Sequence, residues 1–283
     1  MQNMNFESLK GKTIVVTGGA GVIGFAICEA LASAGVKTAI IDINAEAATS
    51  TAKKLQDKYS TKCIGVQANV LEKESLIKAK EIINKEMGSI DFLINGAAGN
   101  SPKATTQVEQ MDKNSLNELE KTFFGLEMDG FDFVFALNFK GTLLPSMVFA
   151  EDMLKKQKGV ILNISSMNSY RPLTKIPAYS AAKASINNFT QWLAVHLAKT
   201  GIRVNAIAPG FFLTNQNRFL LVDEKTGEPT ARGKKIISNT PVGEYGEPEH
   251  LQGATLFLLS DLAEFINGII LPVDGGYSAF GGV

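Results

Sequence analysis

Thr13-Ile14-Val15-Val16-Thr17-Gly18-Gly19-Ala20-Gly21-Val22-Ile23-Gly24 is the stretch whose reading decides the fold. Its first residues are β-branched and apolar, as in a short strand buried on both faces, and from Val22 to about residue 34 the apolar positions take on helical period. Thr38-Ala39-Ile40-Ile41 then reads as a second buried strand. Strand, glycine turn, helix and strand make a βαβ unit. Glycines in that turn let the backbone approach a pyrophosphate, which the N–H groups and dipole of the following helix attract. Gly18, Gly21, Val22, Ile23 and Gly24 are therefore the expected phosphate-binding residues. Asp42 ends the second strand, where a carboxylate accepts hydrogen bonds from a ribose 2′-OH and repels a 2′-phosphate, so NAD is expected rather than NADP. A helix cap or turn role for Asp42 stays open beside that one.

Working outward, the same beat continues: strands over 63–68, 90–94, 160–164, 203–208 and 269–273, with helices over 72–86, 131–155 and 178–199 and another opening at Pro248. Seven strands joined by helices predict an α/β fold, one doubly wound parallel sheet of Rossmann type, in a single domain over 1–283. Segments 100–129 and 211–246 break the rhythm. Each follows the C-terminal end of a strand, the edge where open α/β sheets bind ligands, so they are expected to wall and cover a substrate.

Composition removes several classes. The 283 residues carry 28 Lys+Arg against 28 Asp+Glu, a balance that lacks the basic excess needed for a phosphate backbone, so nucleic acid is not an expected partner. The first residues show no basic leader with an apolar run, and no stretch of 18 or more residues reads as free of charge or strong polarity; a soluble, cytoplasmic protein is expected. Cys28 and Cys63 have neither metal-type nor CxxC spacing, and His196 and His250 leave little for zinc, so neither a disulfide framework nor a metal site is expected. His196, deep in a helix, reads as structural.

Tyr179-Ser180-Ala181-Ala182-Lys183 follows Ser165-Ser166 at the end of the fifth strand. Residues four apart share a helix face, so Lys183 can hold its ammonium near the Tyr179 phenol. A free phenol, with a pKa of roughly 10, is a poor acid–base catalyst at neutral pH, and a neighbouring cation favours its ionised form. A serine hydroxyl beside the pair could hydrogen-bond a reacting oxygen.

With Asn95-Gly96-Ala97-Ala98 after the fourth strand, Asn138 in the next helix, Ser166 thirteen residues before Tyr179, and Pro209-Gly210 after the sixth strand, the chain resembles a short-chain dehydrogenase/reductase over essentially its whole length. The resemblance implies that Tyr179 exchanges the proton and that Ser166 positions the substrate oxygen. It implies that Lys183 binds the nicotinamide ribose and lowers the tyrosine pKa, that Asn138 anchors a water in a proton relay, and that Pro209, Gly210 and Phe212 to Thr214 face the nicotinamide. Asn69, Val70, Asn95 and Ala97 complete the implied cofactor set, and a homotetramer is implied, with contacts from 181–198 and 268–283. The sequence departs from the family pattern in its turn, where Val22 occupies a usual glycine position and Gly21 precedes it. Asn69-Val70 stands for the usual Asp-Val, and Gly96 for the second Asn of NNAG.

Finer features resemble the bacterial D-mannonate oxidoreductases, also called fructuronate reductases: Asn95 to Asn100, the segment through Asp129, Ser165-Ser166-Met167-Asn168, Asn187 to Ala194, and Ala208 to Arg218. This implies a sugar-acid substrate. Asn100, Asn168, Asn215, Gln216 and Asn217 offer amides for its hydroxyls, and Lys103, Arg171, Lys175 and Arg218 offer cations for its carboxylate, with Arg218 the leading candidate. A neutral polyol or ketose dehydrogenase, or a nucleotide-binding regulator without turnover, are the competing functions.

Overall fold

In the computed structural model, which describes residues 5–214 and 218–282, β1 (Thr13–Thr17) turns Ile14 and Val16 to one face of the sheet and Val15 to the other. The same two-faced burial holds along β2 (Lys37–Asp42), β4 (Phe92–Asn95), β5 (Gly159–Ile164) and β6 (Ile202–Pro209). With β3 (Cys63–Gln67) and β7 (Ile270–Val273) these form, among the described residues, a seven-stranded sheet of order β3-β2-β1-β4-β5-β6-β7, every adjacent pair parallel. The doubly wound α/β fold read from the sequence is the fold observed.

Helices cover both faces. One layer packs α1 (Val22–Ser33), with Ile27 and Leu31, and α9 (Gln252–Leu259), with Leu258 and Leu259, against Ile14, Val16, Ile40 and Leu162. The other packs α3 (Lys73–Met87), α5 (Gly141–Lys156) and α6 (Pro177–Leu197), through Leu76, Ile83, Phe149 and Phe189, against Val15, Ile41, Leu93 and Ile161. Burying each such side chain stabilises the fold by about 1.5–3 kcal/mol. α2 (Ala45–Tyr59) flanks the β2–β3 edge, its first turn capped by the Asn44 side chain accepting from the Ala47 N–H.

The helical run Met128–Lys156, made of α4 (Met128–Phe135), a π turn (Ala136–Lys140) and α5, is long and apolar enough by length and composition to cross a membrane, and half of it is buried in the protein. Its apolar residues are core: Val148, Phe149 and Met153 pack on the sheet. Asp129, Asp132, Lys140, Glu151 and Asp152 interrupt the run with charge, and its Asn138, Thr142 and Ser146 are buried and hydrogen-bonded within the fold.

Register sets the site. Thr17 pairs with Ile41 and Asn95, Asn95 with Asn163, and Ile164 with Ile207, so the strand ends on either side of the β1/β4 switch lie level. In open α/β sheets that crevice takes the ligand.

Candidate active site

The loops after β1 and β4 are joined by one hydroxyl. Thr17 Oγ1 accepts the N–H groups of Gly96 (3.1 Å) and Ala97 (3.3 Å). The chain then needs glycine: Gly18 has φ +65°, and a Cβ on Gly24 would stand 2.2 Å from the Gly18 carbonyl oxygen. Gly21 is the extended N-cap of α1 and no side chain caps that end, so the first-turn N–H groups of Val22, Ile23 and Gly24, which have no intrahelical partner by geometry, face the turn. This explains the departure from the family pattern: the glycine at 21 serves as the cap, and Val22 begins the helix.

Asp42, partly exposed at the end of β2, accepts the Asn44 N–H on Oδ1 (3.2 Å), so it does serve a turn. Asn69 is committed locally: Oδ1 accepts the Leu71 N–H (3.0 Å), Nδ2 donates to Glu72 (2.8 Å), and its own N–H donates to Ser75 (3.0 Å). These bonds shape the turn into α3. The Asn95 side chain is committed as well. Its carboxamide is buried under the sheet edge, donating to Ser146 Oγ (2.9 Å) and Asn163 Oδ1 (2.8 Å), while Asn163 donates to Thr190 (2.9 Å). That chain of amides links β4, β5 and α6, and its side chain faces packing rather than a cofactor. Val70 is buried against Gly141.

Asn138 occupies the π turn and is fully buried. Nδ2 donates to the carbonyls of Gly99 (2.7 Å) and Val134 (2.8 Å), and Oδ1 has no partner among the described residues. Ser166 stands at the C-terminal end of β5, its Oγ accepting the Asn168 N–H (3.2 Å) and acting on the Tyr179 phenol to lower its pKa. Lys183, one turn on from Tyr179, is 2% exposed; its Nζ lies 5.6 Å from the Tyr179 ring centroid and donates to the Ile164 carbonyl (2.8 Å).

The electrostatics run against one expectation. Burial raises the Tyr179 phenol above its ordinary pKa, and the group that pulls it back is the Ser166 hydroxyl. Burial also pulls the Lys183 ammonium down to about 7. The ammonium lies 5.6 Å from the ring centroid and donates to a backbone carbonyl.

A cavity of about 280 Å³ opens beside the entry to α6, lined by Thr105, Pro172 to Ile176, Phe211 and Tyr277 and by α8 (Ala231–Ser238). Its charged groups are Lys175, Arg232, Lys235 and Glu109. Lys235 is ion-paired to Glu109, whose carboxyl is held below the usual range mainly by that bond, with Lys175 and Arg232 adding to the effect. Three cations thus meet one carboxylate. Of the residues expected at a substrate, Asn100 is exposed with Nδ2 on Thr105 (3.1 Å), a lining residue, and Asn168 is buried beside Ser166 with Oδ1 unpartnered among the described residues. Arg218 is exposed at the start of α7 (Arg218–Leu221) and does not line this cavity. Lys103 is paired with Glu127 (3.0 Å) and Asp129 (2.6 Å), and Arg171 is bonded to the Phe280 carbonyl. Asn215, Gln216 and Asn217 lie outside the described residues. Pro209 ends β6, Gly210 donates to Val273 (2.9 Å), Phe212 bridges to Gly246, and the Thr214 carbonyl accepts from Arg218.

Arg232, Lys235 and Glu109 were missed in the sequence. A signal was present: Thr230-Ala231-Arg232-Gly233-Lys234-Lys235 is a capped basic helix start inside segment 211–246, and Thr230 does cap it through the Gly233 N–H (3.1 Å).

A glycine turn at the β1/β4 crevice with serine, tyrosine and lysine beside it defines a class, and a family model described as enoyl-(acyl carrier protein) reductase matches residues 18–278. The chain belongs to the short-chain dehydrogenase/reductase family of NAD(P)-dependent oxidoreductases. An uncharacterised oxidoreductase of Haemophilus influenzae is 51% identical over 278 residues, covering 98% of this chain and 96% of that one. A crystal structure from Haemophilus influenza, provisionally named a D-mannonate oxidoreductase and holding NAD, superposes with a TM-score of 0.93 at 50% identity, covering 99% of this chain and 100% of that one. The 5-keto-D-gluconate 5-reductase of Escherichia coli is 32% identical over 269 residues, 95% of this chain and 96% of its own.

Proposed function

We propose that the protein is an NAD(H)-dependent oxidoreductase that interconverts D-fructuronate and D-mannonate, with Tyr179 as general acid/base. The observation that carries the substrate class is the surplus of Lys175, Arg232 and Lys235 over Glu109 in the cavity beside α6, since guanidinium and ammonium groups make charge-assisted bonds to a carboxylate. The NAD-bound structure at 50% identity and the sugar-acid reductase at 32% support the same class. The reading includes a cytoplasmic homotetramer, in keeping with the exposed Trp192 and Val195 on α6.

A dinucleotide fits the residues present: neither Gly18 nor Gly24 has room for a Cβ, and no side chain caps the start of α1. Gly18, Gly21, Val22, Ile23 and Gly24 would hold the pyrophosphate and Asp42 the adenosine ribose, with Val70, Ala97, Pro209, Gly210, Phe212 and Thr214 as the further contacts. Asn69 and Asn95 would serve through their backbone. NAD(H) supplies or accepts the hydride. In the direction of reduction the Tyr179 hydroxyl gives its proton to the C5 oxygen, which the Ser166 hydroxyl holds, and the phenolate left behind regains a proton from solvent by way of Lys183 and a water that the orphaned Asn138 Oδ1 would suit. Asn100 and Asn168 would meet substrate hydroxyls.

Because Asp42 would repel a 2′-phosphate, kcat/KM should be higher with NAD(H) than with NADP(H), and Asp42→Ala should narrow that gap while keeping turnover. Equal use of both cofactors by the wild type would exclude this assignment.

The substrate experiment is a panel of fructuronate, mannonate, 5-keto-D-gluconate and matching neutral polyols. Arg232→Ala and Lys175→Ala should each raise KM for the preferred acid about tenfold or more, the scale of a lost charged hydrogen bond, with Arg218→Ala as the unaffected control. Preference for a neutral polyol would replace the acid reading. Higher kcat/KM with 5-keto-D-gluconate would keep the cationic cavity and change the acid, an outcome that the 32% identical relative favours.

A further inference from the structure

Ser165 and Ser166 leave the end of β5 with their side chains on opposite sides of the backbone. Ser166 turns its hydroxyl to Tyr179, while Ser165 turns its own to α6, where it donates to Asn187 Oδ1. The Asn187 Nδ2 donates in turn to Ser169 Oγ (2.8 Å), and the Ser169 hydroxyl donates to the carbonyl of Ser166, which also receives the Ser169 N–H (3.0 Å). One set of protons satisfies the whole chain: each hydroxyl donates once, and the amide donates at one end and accepts at the other. The chain begins one residue before Ser166 and ends on Ser166's own peptide group.

Asn187 stands on α6 four residues beyond Lys183 and eight beyond Tyr179, so the three share one face of the helix. An amide at that place therefore ties the loop that carries Ser166 to the helix that carries Tyr179. Aspartate there would lose the donor, and leucine would lose both bonds. Ser166 Oγ also accepts the Asn168 N–H (3.2 Å), while the Ser166 carbonyl is held by Ser169.

We infer that Asn187 is a positioning residue, which through Ser169 sets the Ser166 hydroxyl in register with the Tyr179 hydroxyl. The inference rests on the proposed roles of Ser166 and Tyr179. It predicts that Asn187 matters only as far as Ser166 does, because its effect travels through that one hydroxyl.

The experiment measures kcat, KM for the preferred acid, and NADH binding by fluorescence for Asn187→Ala, Ser169→Ala, Ser169→Thr, Ser166→Ala and the Ser166→Ala/Asn187→Ala double variant. Asn187→Ala and Ser169→Ala should each lower kcat about tenfold, with NADH affinity unchanged, and Ser169→Thr, which keeps the hydroxyl, should retain wild-type kcat. The alkaline limb of the pH profile should move to higher pH in Asn187→Ala and Ser166→Ala alike, since both remove the bond that lowers the phenol's pKa. In the double variant the asparagine substitution should cost nothing beyond Ser166→Ala alone. Losses that multiply in the double variant, or an Asn187→Ala enzyme with wild-type kcat beside an impaired Ser166→Ala, would overturn the inference alone. A Ser166→Ala enzyme with wild-type kcat would overturn the proposed function as well. If Asn187→Ala does not fold, the contrast between Ser169→Ala and Ser169→Thr carries the same test, and equal kcat for those two would overturn the inference.

Discussion

Tyr179→Phe is expected to lower kcat by between about a hundredfold and ten-thousandfold, the range of general acid–base catalysis, while NADH binding stays within about twofold of wild type. The substitution removes one oxygen. The ring stays packed with Val134, Ala178 and Ala104, and the glycine turn that would hold the pyrophosphate belongs to a different loop. The same phenol fixes the direction of the pH profile. Burial raises its pKa and the Ser166 bond opposes that rise in part, so at neutral pH the group is protonated. A protonated phenol is the form that donates, hence reduction should run at full rate near pH 7 and fall only on the alkaline side. Oxidation needs the ionised form and should climb with pH. Stopped-flow traces of NADH absorbance in both directions from pH 6 to 10 test this. Parallel profiles in the two directions would remove Tyr179 from the proton step, and so would a phenylalanine variant with near-native kcat.

The frame of this site was legible because its parts obey local rules. The run Thr13 to Gly24 carries strand, turn and helix signals in one window, and the Gly18 and Gly24 positions show why: neither has space for a Cβ. Tyr179, Lys183 and Ser166 follow from spacing on one helix and one strand end. What spacing does not report is where a side chain spends its hydrogen bonds. Asn95 and Asn69 occupy the expected positions, yet one amide is bonded into a buried chain with Asn163 and the other shapes the turn into α3. The sign of the Tyr179 shift was hidden for a related reason. Helical spacing brings an ammonium near a phenol, but burial, which is a property of the whole packed layer, acts on both groups and drives them in the direction of their neutral forms. Arg232, Lys235 and Glu109 were missed because they are far apart in the chain from one another or from Lys175, which the sequence did offer, and meet it only when α8 packs over segment 172–176. Arg218 looked best in sequence because it lies in segment 211–246, expected to cover the substrate, whereas in the fold it is exposed and α8 supplies the cavity's cations instead.

Lys183→Met should abolish most turnover and weaken NADH binding, and it should also raise the melting temperature at pH 6. The second effect follows from where the ammonium sits. Lys183 is fully buried, its Nζ donates to the Ile164 carbonyl, and burial alone is what pulls it from 10.5 to about 7. In the unfolded chain the same group keeps its proton up to about pH 10.5. Between roughly pH 7 and 10.5 the unfolded state therefore binds more protons than the folded one, so this residue's contribution to stability rises with pH across that window and lies at its most unfavourable below pH 7. A shift of that size corresponds to several kcal/mol of destabilisation at pH 6. Methionine has nearly the same length and no charge, so it removes that cost while leaving the Ile164 carbonyl without its donor, a loss of about 1–3 kcal/mol. The net effect is stabilising at pH 6, falls as pH rises, and reverses to a net loss of at most about 1–3 kcal/mol near pH 10, where the wild-type lysine is neutral in the fold at little cost. Calorimetry of both proteins from pH 6 to 10 reads this directly. A variant that melts lower than wild type at pH 6 would mean that the ammonium is held by more than one carbonyl and the dipole of the ring beneath it. A stabilised variant with intact NADH affinity would instead separate the two roles and take Lys183 out of the cofactor site.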